Sequence, residues 1–75
     1  MEAINEYAIQ IMKKKRFERG WSQQELADYL NLSRGYIGDV ENPKKQAKLN
    51  LVHINKLAQI FNCSPKDFLP DTPLD

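Results

Sequence analysis

Four times along the chain one short design recurs: an apolar residue, a residue suited to capping a helix, and a second apolar residue five positions after the first. The caps are Ser22, Ser33, Asn50 and Ser64, and the flanking pairs are Trp21/Leu26, Leu32/Ile37, Leu49/Ile54 and Cys63/Phe68. At each cap a side-chain oxygen can accept a hydrogen bond from an otherwise unpaired amide of the first helical turn, and each apolar pair staples the incoming chain to the helix it opens. Ser22 has Glu25 three residues on, and Ser64 has Asp67 together with Pro65 at the first helical position, where a missing N–H does no harm. Apolar residues elsewhere recur at three- and four-residue spacing, and no stretch alternates as a strand would. The chain is therefore read as all-α.

Stop signals complete the division. Gly20 stands where a helix end favours a left-handed residue, Asn31 tolerates the same conformation, and Pro43 ends the third helix. The predicted helices run from the N-terminal region to Arg19, from Gln23 to Leu30, from Arg34 to about Asn42, from Leu51 to Phe61, and from Pro65 to Leu69. Only Asn31 and Leu32 separate Leu30 from the cap Ser33, so the second and third helices meet across a very tight corner.

Size limits what such a helical chain can do. Seventy-five residues predict one small domain without a separate sensing domain, and a chain of this size buries only about 60% of the surface its unfolded form exposes. Deep catalytic pockets are not expected, and no Ser/His/Asp set, Cys/His pair or phosphate-cradling glycine loop is present; the chain is read as a non-enzyme. One Cys (Cys63) and one His (His53) supply neither an internal disulfide nor the four ligands of a structural zinc site. No cofactor or metal is expected, and a reducing, cytoplasmic setting fits. No apolar run approaches the roughly 20 residues of a membrane span, so no membrane partner is expected.

The net charge of +1 argues, taken alone, against a strongly anionic partner. Its distribution argues otherwise. Residues 13–19 hold five bases and one acid, residues 44–48 hold Lys44, Lys45 and Lys48 with no acid, and the stretch between, 20–43, holds one base and four acids. Two basic clusters thus bracket the helical corner, where they could meet phosphates in a salt-sensitive way. A charge run is more often a solvated face than a site, and Lys13-Lys14-Lys15 spans nearly a full helical turn, so its members cannot all point one way.

At SQQELADYLNLSRGYIGDVEN the chain resembles the helix-turn-helix of the phage-repressor and Cro-type DNA-binding family. The likeness extends from about Ile11 to Leu69 and includes Arg16, Gly20, Ser22-Gln23, Leu26-Ala27, Ser33, Ile37, Glu41 and the later segments LVHINKLAQIF and SPKDFL. It implies a compact five-helix bundle over residues 11–69, with residues 1–10 as an extension of the first helix and 70–75 as a tail. It implies double-stranded DNA as the partner and transcription regulation as the role. The third helix would be the recognition helix in the major groove, with the second crossing the backbone. The DNA-contacting set implied is Gln23, Ser33, Arg34, Gly35, Tyr36, Gly38, Asp39, Asn42, Lys44 and Lys45. Gln23 and Asn42 match phosphate-contacting positions, whereas Arg16 and Glu41 match an ion pair that belongs to the scaffold.

Physical chemistry adds roles within that set. A guanidinium at Arg34 can grip guanine O6 and N7 together, a contact worth about 1–3 kcal/mol of discrimination. Gly35 and Gly38 depart from the family, whose equivalent positions carry base-reading side chains, and each costs a helix interior about 0.8–1.0 kcal/mol relative to Ala. Close approach of backbone to groove would account for them. Asp39 could accept from cytosine N4, and Tyr36 either packs or bonds a phosphate. His53, Cys63 and Trp21 read as structural residues. A homodimer is expected, with Phe61, Phe68, Leu69 and Leu74 as interface candidates. The rival reading is an antitoxin-like or adaptor module, with a toxin or other protein as partner and DNA binding secondary or lost.

Overall fold

All four capped starts open helical segments in the computed structural model, which describes residues 2–74. α1 (Ala3–Glu18), α2 (Gln23–Leu30), α3 (Arg34–Glu41) and α4 (Leu51–Phe61) are α-helices, and Pro65–Phe68 is a single 3₁₀ turn. The side chains of Ser22, Ser33, Asn50 and Ser64 accept from the amides of Glu25, Tyr36, His53 and Lys66. The anticipated capping boxes at Ser22/Glu25 and Ser64/Asp67 close, and a third closes at Asn50, where the His53 ring plays the acidic residue's part.

Helix ends explain the tight corners. Gly20, Asn31 and Asn62 take left-handed conformations at φ +68°, 57° and 54°. After each, the next amide reaches back a full turn: Trp21 to the Arg16 carbonyl at 3.1 Å, Leu32 to Ala27 at 2.9 Å, and Cys63 to Ala58 at 3.0 Å. This is the Schellman closure, which satisfies otherwise orphaned carbonyls. Trp21, Leu32 and Cys63 thus serve twice, ending one helix and stapling the next, and all three pack partly buried against the core.

The five-helix expectation is corrected at its last member. Pro65 and Pro70 leave too little chain for an α-helix, and Pro70 drives Leu69 into extended backbone (φ −123°, ψ 147°). The bonds that form are the shorter i→i+3 kind, from Asp67 to the Ser64 carbonyl at 2.9 Å and from Leu69 to Lys66 at 3.1 Å. The described residues form a bundle of four α-helices closed by that turn.

Ile9 and Met12 of α1, Leu26, Ala27 and Leu30 of α2, Ile37 and Val40 of α3, Ile54, Leu57, Ala58 and Phe61 of α4, and Phe68 form one core. Met12, Leu26, Ala27, Ile37, Leu57 and Phe68 are fully inaccessible, and each large side chain among them contributes about 1.5–3 kcal/mol by leaving water. Ala27 keeps α2 slender where α3 crosses it. Ala8 and Ile9, within the segment read as an extension, also belong to this core. The radius of gyration, 11.6 Å, matches the value of about 11 Å for a compact chain of this length. Among the described residues no helix is long and apolar enough to cross a membrane.

Candidate nucleic-acid interface

The end of α3 is fixed by a buried polar junction. Arg16 donates from Nε to Glu41 Oε2 at 2.9 Å, from Nη2 to Oε1 at 2.7 Å, and from Nη1 to the Trp21 carbonyl at 2.8 Å. The two side chains are 7% and 4% exposed. Glu41 Oε1 also accepts from Gln23 Nε2 at 3.1 Å, so α1, the start of α2 and the end of α3 share one carboxylate. Among the described residues no buried side-chain polar atom lacks a partner, the condition under which a buried ion pair can hold one geometry.

α3 then divides by helical angle. At about 100° per residue, Ile37 and Val40 point to the core, Gly35, Gly38 and Asp39 fall on the opposite arc, and Arg34 lies at its edge, about 90° from the core direction. Arg34, Gly35 and Asp39 are exposed and Gly38 is half-buried. A Cβ added at Gly35 would meet nothing within 4 Å, and one at Gly38 would meet only Gln23 Oε1 at 3.6 Å. Packing inside the chain therefore requires neither glycine. Their bare backbone lies between a cation and a carboxylate, with Ser33 exposed at the helix start and Gln23 beside Gly38 at the start of α2.

Tyr36 is set apart from that arc. Its hydroxyl donates to the Lys48 carbonyl and lies 3.5 Å from His53 Nδ1. Burial raises its pKa, and the hydroxyl hydrogen is engaged within the molecule. Past Glu41, Asn42 goes extended ahead of Pro43 (φ −92°, ψ 116°). Its Oδ1 accepts from the Lys44 amide at 2.9 Å and its carbonyl from Lys45 at 3.0 Å. That turn places the exposed Lys44 and Lys45 directly beyond the C-terminus of α3.

The first basic cluster does not form a patch. Arg16 is consumed by Glu41; Arg19 donates to the Phe61 carbonyl at 2.8 Å and lies over the rings of Trp21 and Phe61. Lys15 lies over the Phe68 ring at 5.8 Å. Lys13 lines a cleft with Asn42 and Pro43, and Lys13 and Lys14 line another with Gln10 and Phe17. The expectation of two clusters bracketing the corner thus narrows to Lys13 with the exposed Lys14 beside it and the lysines after Pro43. The reason is periodicity: residues 13–19 cover nearly two helical turns and so all sides of α1.

Of the residues expected at the interface, Gly35, Gly38 and Asp39 share one face, Arg34, Gln23 and Ser33 border it, Asn42, Lys44 and Lys45 follow it, and Tyr36 turns away. His53 is structural, as its sequence reads, and its spacing of three from Asn50, which repeats that of Glu25 from Ser22, is the signal for its capping role. Burial, followed by the nearby Lys56 ammonium, lowers the His53 pKa.

A family model described as helix-turn-helix matches residues 12–68. No functionally curated protein matches the chain. Among solved structures, a hypothetical transcription factor, NHTF, from Neisseria is 28% identical, covers 92% of this chain and 76% of its own, and superposes with a TM-score of 0.73. The restriction-modification controller protein C.AhdI from Aeromonas hydrophila is 32% identical, covers 88% of this chain and 96% of its own, and gives 0.71. With the capped corner, the Arg16–Glu41 tie and this match over most of its length, the chain belongs to the repressor/Cro-type helix-turn-helix family of DNA-binding proteins.

Proposed function

We propose that the chain is a sequence-specific regulator of transcription that inserts α3 into the major groove of duplex DNA. The observation that carries this reading is the outward arc of α3. Two glycines that no packing contact requires lie there beside an exposed arginine, on a helix anchored at its far end by a buried ion pair. Bare backbone lets the helix approach base edges closely, where Arg34 reads guanine and Asp39 accepts from cytosine. Phosphates are met on both sides of the groove, by the first turn of α2 with the remaining N–H of Gln23 and the Ser33 hydroxyl, and by Asn42, Lys44 and Lys45. The two solved relatives, one named as a transcription factor and one as a controller protein, support a regulatory role.

Binding as a dimer goes with this mode, since one short helix reads few base pairs and twofold-related copies meet half-sites about 34–36 Å apart. Phe61 and Phe68 are core residues, so they drop out as interface candidates. Leu69 and Leu74 are 42% and 41% exposed, and Leu51 and Val52 at the start of α4 are 80% and 62% exposed. The test is affinity for a mixed-sequence duplex across a salt series. A DNA regulator loses affinity steeply as salt rises, and Gln23→Ala with Arg34→Ala weakens it.

One observation favours the second reading, a protein-interaction module with DNA binding secondary: Arg16 is buried against Glu41, which removes one cation from the outer field. Absence of duplex binding at low salt selects that reading.

A further inference from the structure

The loop after α3 is held at its far end by one polar cluster. From α3, the Tyr36 hydroxyl donates to the Lys48 carbonyl. From α4, His53 Nδ1 accepts from the Asn50 amide at 3.2 Å and lies 3.5 Å from the Tyr36 hydroxyl, with the two ring centroids 5.5 Å apart. Asn50 Oδ1 in turn accepts from the His53 amide at 2.9 Å. One imidazole nitrogen thus caps α4 and borders the contact between loop and recognition helix.

Nδ1 can accept only while it carries no proton, so this geometry belongs to the neutral ring with its hydrogen on Nε2. The titratable or charged residues around the ring are Tyr36 from α3, Lys48 from the loop, which faces it with its carbonyl, and Lys56 one turn further along α4. The start of α4 adds the positive end of a helix dipole. The Lys56 ammonium and the helix dipole oppose an imidazolium. Burial does too, and the lowered pKa of His53 has the same origin.

We infer that His53 is a proton-sensitive positioning residue: neutral, it accepts the Asn50 amide and packs against Tyr36 at the far end of the Lys44–Lys48 loop, and protonated it gives up that amide, loosens the loop and weakens the hold on duplex phosphates. The release of the loop stands on the geometry of this cluster; the loss of affinity rests on the functional reading above. The sign is distinctive. A histidine that merely sat near DNA would strengthen binding on acidification, because its added charge attracts phosphate; the clasp requires the reverse.

The test compares the full chain with His53→Gln and Tyr36→Phe between about pH 7.5 and 5.5, where histidine is the side chain that titrates. Glutamine at this position can still accept from the cap amide but takes up no proton. Two quantities are read, the hydrogen-exchange protection of the Asn50 and loop amides, and affinity for a fixed mixed-sequence duplex. On acidification the unsubstituted chain should lose protection at Asn50 and lose affinity, by at most about tenfold per pH unit for a single linked proton. His53→Gln should be flat in both, and Tyr36→Phe should show weakened loop protection at both ends of the range. Unchanged protection, a His53→Gln variant that follows the same pH course, or affinity that rises on acidification overturns the inference. A chain that binds no duplex at any pH contradicts the functional reading, and the exchange data then still decide whether His53 clasps the loop.

Discussion

Arg16 and Glu41, 25 residues apart in the chain, meet through paired hydrogen bonds of 2.7 and 2.9 Å, almost wholly out of water. Breaking such a pair by removing one partner leaves an uncompensated buried charge, at a cost of about 3–5 kcal/mol. Arg16→Met and Glu41→Leu should each lower unfolding free energy by that order, and the double variant should lose much less than the two losses combined. Urea denaturation of the four proteins checks this, and additive losses would count against coupling.

The glycines of α3 separate stability from function. Gly35→Ala places a methyl in open space, so it should stabilise the fold through helix propensity alone, by less than the roughly 0.8–1.0 kcal/mol of a helix interior because it lies in the first turn. On the close-approach account the same methyl meets DNA, and affinity should fall. Thermal melting and duplex titration of one variant give both numbers; a stabilised protein with unchanged affinity would mean that the helix does not approach so closely.

The basic residues should sort into two kinds. Lys44→Ala and Lys45→Ala should weaken binding about equally on all duplexes, and each should lower the slope of log affinity against log salt by about 1. Arg19→Ala, whose guanidinium caps the Phe61 carbonyl, should lower the melting temperature and leave that slope unchanged. A slope that falls with Arg19→Ala would place it on the DNA after all.

Two asparagines close helices in a conformation most side chains avoid. Asn31→Ala and Asn62→Ala should each be destabilising, by up to about 1–2 kcal/mol, because alanine keeps the Cβ but loses the short polar side chain that lets asparagine hold a left-handed backbone, whereas glycine at either position should be tolerated. Chemical denaturation measures the difference.

What could be read from the sequence was whatever a single local interaction decides. The four caps, the left-handed Gly20 and Asn31 and the stop at Pro43 each depend on one or two neighbouring residues, and the structure has all of them. Asn62-Cys63-Ser64 repeats Asn31-Leu32-Ser33, and the same left-handed turn closes α4. The capping signature of the final segment predicts a helix, while two prolines set its length. Residues brought together by tertiary packing were the harder case. Nothing local to Tyr36 says that its hydroxyl reaches Lys48, twelve residues away, and nothing local to Arg19 says that it caps α4. The Arg16–Glu41 pair was foreseen through family resemblance, since spacing alone does not pair residues on different helices.

The most direct test of the account is selection of bound sites from a random duplex library, performed in parallel with the unsubstituted chain and Arg34→Ala. Placement of α3 in the major groove as a dimer predicts a motif of two related half-sites centred about one helical turn apart, with a guanine preference at symmetric positions that disappears in the variant. Recovery of no enriched motif, or of the same motif from both proteins, would contradict it.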